Sequence, residues 1–347
     1  MKKVVVVGGG FAGAYVARKL QHDFTVTLID TKDYFEFTPS ILRTIVEPDH
    51  FKKIEVQHTS YLTTATFIKG YVTEVNQHQV SIGTKKIPFD YLVLAMGSTY
   101  STPIKEQNLV IASRGEELKE YSQRLQKAHD VLIIGGGVVG VELAAEIITH
   151  FPKKKVTIVH AKDKLLERNH QRARDYAKLF FEKQGVHILW NERIITSKKG
   201  SYQTQSGKEI KADLSFLCTG IEPNYHCLNQ TCSKMLNERK SVMVNNHLQV
   251  HGHHNIFAAG DITSIAEEKT AQNAEEQAKV VIKNIWALAN SPLSNPVLTT
   301  YTSAPRPMII SLGKRDGILI YKERVCTGII PAILKTIVEW KTMRKYR

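Results

Sequence analysis

Val4-Val5-Val6-Val7-Gly8-Gly9-Gly10-Phe11-Ala12-Gly13 is the stretch that decides the fold. Its β-branched run reads as a buried parallel strand. The glycine turn then opens residues 14–20, which read as a helix, and a second strand over residues 25–29 ends at Asp30. Strand, G-x-G-x-x-G, helix, strand and acid in this order make a dinucleotide-binding unit. The glycines let the backbone approach a pyrophosphate at the helix N-terminus, and an acid about 20 residues further on accepts from a ribose hydroxyl.

Working outward, the pattern recurs. Residues 131–134 lead into Gly135-Gly136-Gly137-Val138-Val139-Gly140, with a helix expected from 141 to about 150 and a strand over 155–160. Residues 89–97 and 212–220 are apolar strands ending in glycine, and each closes its unit. The matching landmarks indicate an internal duplication. Two cradles in one chain imply two different dinucleotides, a resident flavin and a visiting nicotinamide. The place of Asp30 is taken in the second unit by His160, followed by Ala161-Lys162-Asp163-Lys164. No carboxylate stands there to reject a 2′-phosphate, so NADPH is expected to serve as well as NADH, unless Asp163 turns back to the ribose.

Residues 255–261 form an apolar strand ending in Gly260-Asp261. The Asp either caps the next helix or returns to the first unit to meet the flavin's ribityl chain; the two glycine motifs favour the second. The expected fold is α/β, with two Rossmann-like domains and a small C-terminal α+β domain. The FAD domain is discontinuous (1–107 and 240–290), the NAD(P)H domain spans 108–239, and the C-terminal domain spans 291–347. Locally, a helix is expected from the 36–43 run, and exposed hairpin strands over 71–75 and 79–82.

Lys and Arg total 47 against 33 Asp and Glu, a net charge of +14. Such a surplus suits anionic lipid or nucleic acid, or serves solubility. Four irregularly spaced cysteines suggest no disulfide framework. No apolar stretch approaches the ~20 residues of a membrane-spanning helix, and Lys at position 2 does not meet the myristoylation pattern. Glu142 reads as an acid in the first turn of a helix, placed either for the dipole or to face the nicotinamide. Cys227 and Cys232 have the spacing of a redox pair, but they follow the second unit in a polar loop, so no redox use is expected. Without a dithiol the electrons leave for a diffusible acceptor. His247, His251, His253 and His254 read as an exposed hairpin, and no metal is expected.

The last residues are the most distinctive. From Pro331, suited to N1 of a helix, Ile333, Leu334, Ile337, Val338 and Trp340 fall mostly on one face. Lys335, Lys341, Arg344, Lys345 and Arg347 stand against Glu339. This reads as a basic amphipathic helix that meets a membrane surface, or as a helix docked on the body.

At this point the chain resembles the AMID-type flavoproteins (apoptosis-inducing factor 2 and the ferroptosis suppressor proteins), within the pyridine nucleotide–disulfide reductase superfamily. The resemblance is carried by both glycine motifs, by Ala259-Gly260-Asp261, by Gly140-Val141-Glu142-x-Ala144-Ala145-Glu146-Ile147, by Leu217-Cys218-Thr219-Gly220-Ile221 and by Trp340-Lys341-Thr342-Met343-Arg344. Phe37-Thr38-Pro39 and Ala271-Gln272-x-Ala274-x-x-Gln277 echo the type II NADH dehydrogenases. The resemblance implies an FAD-dependent NAD(P)H:quinone oxidoreductase, passing hydride to flavin and two electrons to a quinone at a membrane. It implies FAD contacts at Gly9 to Ala12, Arg43, Val72 and Asp261, an acid near the nicotinamide at Glu142, and lysines near the flavin or quinone entrance at Lys105 and Lys341. The cofactor residues expected altogether are Gly8, Gly9, Gly10, Phe11, Ala12, Gly13, Asp30, Arg43, Val72, Gly135, Gly137, Gly140, His160, Gly260 and Asp261. The expected partners are a quinone and a membrane surface, a homodimer is allowed, and the expected location is cytoplasmic and peripheral. A reductase of a small electron-carrier protein is the competing enzymatic reading. A nucleic-acid-binding flavoprotein is the reading from another class, carried by charge alone.

Overall fold

The computed structural model describes residues 1–100, 109–111, 115–228, 232–291 and 296–347. β1 (Lys3–Val7) leads into α1 (Phe11–Leu20) and β2 (Thr25–Asp30); β3 (Thr66–Lys69) and β4 (Tyr91–Leu94) follow. The second unit repeats the plan with β5 (Leu109–Ile111), β6 (Asp130–Ile134), α2 (Val138–His150), β7 (Lys155–Val159), β8 (His187–Leu189) and β9 (Leu214–Leu217). The chain then returns through β10 (Ile256–Ala258) to the first sheet.

The two sheets run β10–β4–β1–β2–β3 and β5–β9–β6–β7–β8, every pair parallel. The central strands are buried on both faces, which is why they are written as unbroken Val, Ile and Leu. The duplication is visible bond by bond. Gly8 N–H donates to the Ile29 carbonyl at 2.8 Å and Gly135 N–H to that of Val159 at 2.8 Å. Ala95 donates to Val7 and Cys218 to Ile134, again at 2.8 Å each. The fifth sheet position is filled from opposite directions, by β10 after the first unit and by β5 before the second. Each unit also carries an antiparallel meander between the second and last of its nucleotide strands.

After β10 come α3 (Ala271–Asn290), the antiparallel strands β11 (Met308–Ser311), β12 (Gly317–Tyr321) and β13 (Arg324–Thr327), and then α4 (Ile329–Met343). No helix among the described residues is long and apolar enough to cross a membrane.

Several local expectations need correction. Residues 34–45 give a short strand, Tyr34–Glu36, and then 3₁₀ turns over Thr38–Ile45 rather than an α-helix. Pro39 and the β-branched Ile41, Thr44 and Ile45 disfavour the longer form. The first hairpin strand is only Glu74–Val75, a third strand (Lys85–Pro88) pairs with the second (Gln79–Ile82), and Val75 and Val80 are buried. α2 begins three residues earlier than expected, so Glu142 lies beyond its first turn. The histidine turn carries isolated bridges instead of strands, and His247 packs its Nδ1 3.1 Å from the Thr299 carbonyl. Cys227 and Cys232 are buried beside the first unit's core, not in a polar loop. The polar residues that suggested a loop, 229–231, lie outside the described residues. Pro331 is the third residue of α4, still within the first turn, where its missing N–H costs nothing.

Candidate functional site

The glycine turns are built for close approach. A Cβ on Gly13 would be driven into the Gly8 carbonyl, and one on Gly140 into that of Gly135. This contact seats each helix directly on its first strand. Both helices start at a glycine with no side-chain cap. A Cβ on Gly10 or Gly137 would meet nothing, so no neighbouring atom crowds either helix start at its glycine. Uncapped N–H groups at a positive helix end are what a pyrophosphate needs.

In the first unit Gly9 N–H donates to Asp30 Oδ2, while Lys32 N–H reaches Asp30 Oδ1 at 3.0 Å. The carboxylate is thus fixed at the end of β2, where a ribose diol would meet it. His58 lies beneath, fully buried, with Nδ1 2.5 Å from the Tyr61 hydroxyl and Nε2 3.8 Å from Asp30. Burial pushes the His58 pKa down to about 4, so the ring is neutral. Asp261 accepts from Ser98 Oγ at 2.8 Å, and burial holds its pKa above the ordinary carboxylate value. It does not cap a helix. α3 starts ten residues later and is capped by Thr270, whose side chain accepts from Asn273 N–H. Gln277 fixes the turn instead: its Oε1 accepts from Gly260 N–H at 2.7 Å, and its amide donates to Glu267. These residues fit an FAD laid along the first sheet, with pyrophosphate at Gly9 and Gly10, ribose at Asp30 and ribityl chain at Asp261.

The second unit copies the first with one change. Gly136 N–H donates to His160 Nδ1 at 3.1 Å, in the place of the Gly9–Asp30 bond. Burial lowers the His160 pKa, and a neutral ring that accepts at Nδ1 carries its proton on Nε2. The residue that holds this turn is therefore a neutral imidazole where the first unit has a carboxylate.

Buried charges join the two units to the C-terminal helix. Glu142 Oε1 accepts from Ser311 N–H at 2.8 Å and from Lys335 Nζ at 2.6 Å. Arg43 donates from Nη2 to Glu146 at 2.9 Å, crossing from the first unit to α2. His50 Nε2 meets Glu339 at 3.2 Å. Burial alone would raise Glu339, but hydrogen bonds from His50 and Ser40 hold it below the ordinary carboxylate range.

Of the lysines expected at the site, Lys341 is exposed on α4 and Lys105 lies outside the described residues. The C-terminal lysine that reaches Glu142 is Lys335, not Lys341. Lys345 is also tied down, to Glu275 at 2.6 Å. The outward cations of the tail are accordingly Lys341 and Arg344, while Arg347 donates to the Lys53 carbonyl. Val72 is buried beside the first sheet. The missed residues are Lys335, Glu146 and His58. The signal for the first was the four-residue spacing of Lys335 and Glu339, which puts two charges on the inward side of one helix.

Two uncapped glycine turns on two parallel sheets, one read by an acid and one by an imidazole, define an oxidoreductase that uses FAD and NAD(P)H. The chain belongs to the pyridine nucleotide-disulphide oxidoreductase family, whose family model matches residues 2–278. It is 32% identical to apoptosis-inducing factor homolog B of Dictyostelium discoideum, over 94% of this chain and 91% of that one. It is 31% identical to ferroptosis suppressor protein 1 of Homo sapiens, over 99% and 96%. Its fold is similar to that of a sulfide:quinone oxidoreductase from Aquifex aeolicus, with TM-score 0.85 and 23% identity over all of this chain and 92% of that one.

Proposed function

We propose that this protein oxidises NAD(P)H and reduces a quinone at a membrane surface. The observation that carries the proposal is the outer side of α4. Ile333, Ile337 and Trp340 are 52%, 50% and 61% exposed, in line with Ile329, Ile330 and Val338, while the inner side of the same helix delivers Lys335 to Glu142. A helix that reaches the nucleotide site inwardly and offers an apolar stripe outwardly suits a substrate that lives in lipid. Two of the four thiols are poorly suited to a competing electron outlet. Burial pushes Cys218 up to about 12 and Cys227 up to about 11, so neither is a ready thiolate. The likeness in fold to a quinone-using enzyme agrees with this reading, although that relative's sulfide chemistry is not expected here.

When bound, FAD supplies the two-electron chemistry between the nicotinamide and the acceptor. Gly8 to Gly13, Asp30, Gly260 and Asp261 would hold it, and Arg43 braces the first unit against the second. Gly135, Gly137, Gly140 and His160 would hold NAD(P)H. Glu142, set by Lys335 and Ser311, is assigned to orient the nicotinamide end, and the exposed Lys341 is assigned to the quinone entrance. The domain division at 1–107 with 240–290, 108–239 and 291–347 is part of this proposal; the return of β10 to the first sheet supports it. The direct test is a visible spectrum of the purified protein, followed by NADPH with and without a short-chain quinone. Bleaching that is reversed by quinone is the expected result; a bleached flavin left unaffected by quinone would defeat the proposal.

Two further outcomes are expected. The double variant Ile333→Glu with Ile337→Glu alters only exposed side chains, so it should fold normally and reduce water-soluble quinone at the wild-type rate. It should lose binding to liposomes and activity on long-chain quinone; unchanged liposome binding would reject α4 as the contact. Wild-type protein should use NADH and NADPH with a bias below ~100-fold, about 2.7 kcal/mol. His160→Glu should raise the KM for NADPH by roughly tenfold or more while sparing NADH, because a carboxylate repels the 2′-phosphate. Equal losses for both coenzymes would mean that position 160 does not read the 2′ position.

A further inference from the structure

A second concave surface lies away from both cradles, past the end of α4. It is a cavity of about 520 Å³ walled by the last turn of α1, by Tyr61 and Thr63, by Trp286 of α3 and by residues 345–347. Its wall is fixed by Gln21, whose amide donates to the Tyr61 carbonyl at 3.1 Å while its oxygen accepts from Thr63 N–H at 2.7 Å.

The lining is basic, with Arg18, Lys19, His22, Lys345 and Arg347 against Asp23. Arg18 is the telling residue. Its guanidinium is 5.5 Å from the ring of Tyr346 and 6.0 Å from that of Tyr15. Its Nε is buried with no hydrogen-bond acceptor, and among the described residues it pairs with no carboxylate. Arg18 lines the cavity, and its charge meets no anionic side chain from the described residues. Lys19 and His22 are exposed beside it, and neither has a carboxylate partner among the described residues. Arg347 anchors the rim by donating to the Lys53 carbonyl at 2.8 Å. A forked guanidinium backed by aromatic rings and flanked by two more basic side chains is the chemistry of phosphate recognition. The apolar stripe of α4 ends at Trp340, a few residues before this lining, and Trp286 stands half-exposed at the cavity.

We propose that this cavity binds the phosphomonoester headgroup of an anionic lipid, with Arg18 as the central ligand and Lys19 and His22 beside it. The proposal rests on the membrane reading of α4: seating that stripe on a bilayer would bring the cavity to headgroup level.

The test uses the full-length flavin-loaded protein and vesicles of phosphatidylcholine carrying either phosphatidylserine or phosphatidylinositol monophosphate at matched charge. Wild type is expected to bind the second at least about tenfold more tightly, one 1.4 kcal/mol step. Arg18→Gln should erase that preference. So should Lys19→Glu with His22→Glu, a pair of exposed positions that guards against a folding defect at Arg18. Neither variant should alter NADPH oxidation by water-soluble quinone. Equal binding to both vesicles, or a preference that survives both variants, would overturn the proposal. Capture of soluble inositol phosphate without any vesicle preference would overturn the lipid assignment. Failure of the membrane reading itself is read separately, from the Ile333→Glu with Ile337→Glu variant on plain vesicles.

Discussion

Alanine at Gly13 is expected to give a protein that purifies without flavin, whereas alanine at Gly140 keeps the flavin but no longer lets NADPH bleach it. The two substitutions are chemically identical and structurally equivalent. Each adds one methyl group that would collide with a carbonyl of the preceding turn, Gly8 in one case and Gly135 in the other. The backbone cannot swing that carbonyl away, because the N–H of the same residue is bonded into the sheet at 2.8 Å, to Ile29 or to Val159. The helix must move off its strand instead. Such overpacking costs about 1–3 kcal/mol, and the first-turn N–H groups leave the position where a pyrophosphate meets them. Flavin absorbance per chain and the rate of anaerobic bleaching read the two outcomes. Wild-type flavin content in Gly13→Ala would contradict the assignment of the first cradle.

Lys335→Met should be among the most destabilising single changes in the C-terminal domain. The side chains of Lys335 and Glu142 are 13% and 10% exposed, and their ion pair at 2.6 Å joins α4 to α2. Removing the cation leaves a buried carboxylate with the Ser311 N–H as its remaining partner, a change that costs about 3–5 kcal/mol. The double variant with Glu142→Gln should recover most of the loss, since a neutral amide needs no cation. Lys341→Met, on the exposed side of the same helix, should change stability by less than about 0.5 kcal/mol. Urea denaturation of the four proteins separates these cases. Similar midpoints for Lys335→Met and Lys341→Met would show that the buried pair contributes little.

Both nucleotide units were legible in the sequence because their signals are local. Val4 to Gly13 and Val131 to Gly140 each specify a strand, a turn and a helix from neighbouring residues, and Asp30 and His160 follow at a fixed spacing. The C-terminal helix was legible as amphipathic for the same reason. What could not be read was which of its cations turn inward. Lys335 finds Glu142 across 193 residues and Lys345 finds Glu275 across 70, and no periodicity records a partner so distant. The 36–43 run gives 3₁₀ turns in place of the expected α-helix because a run of apolar and β-branched residues fits both forms. His58 gave no signal at all, since its role beneath Asp30 depends on how β3 and the preceding turn pack.

The double attachment of α4 has a mechanical consequence. One inward residue, Lys335, grips the second unit, and another one turn later, Glu339, grips the first through His50. Beyond the helix Tyr346 stacks on Phe35 with ring centroids 4.1 Å apart. The helix therefore works as a crossbar pinned to both units: the two halves of the duplicated body cannot part without drawing at least one pin. Shear applied to its outer stripe would reach both cradles at once, and trimming the last turns would loosen halves of the molecule that are far apart in the chain.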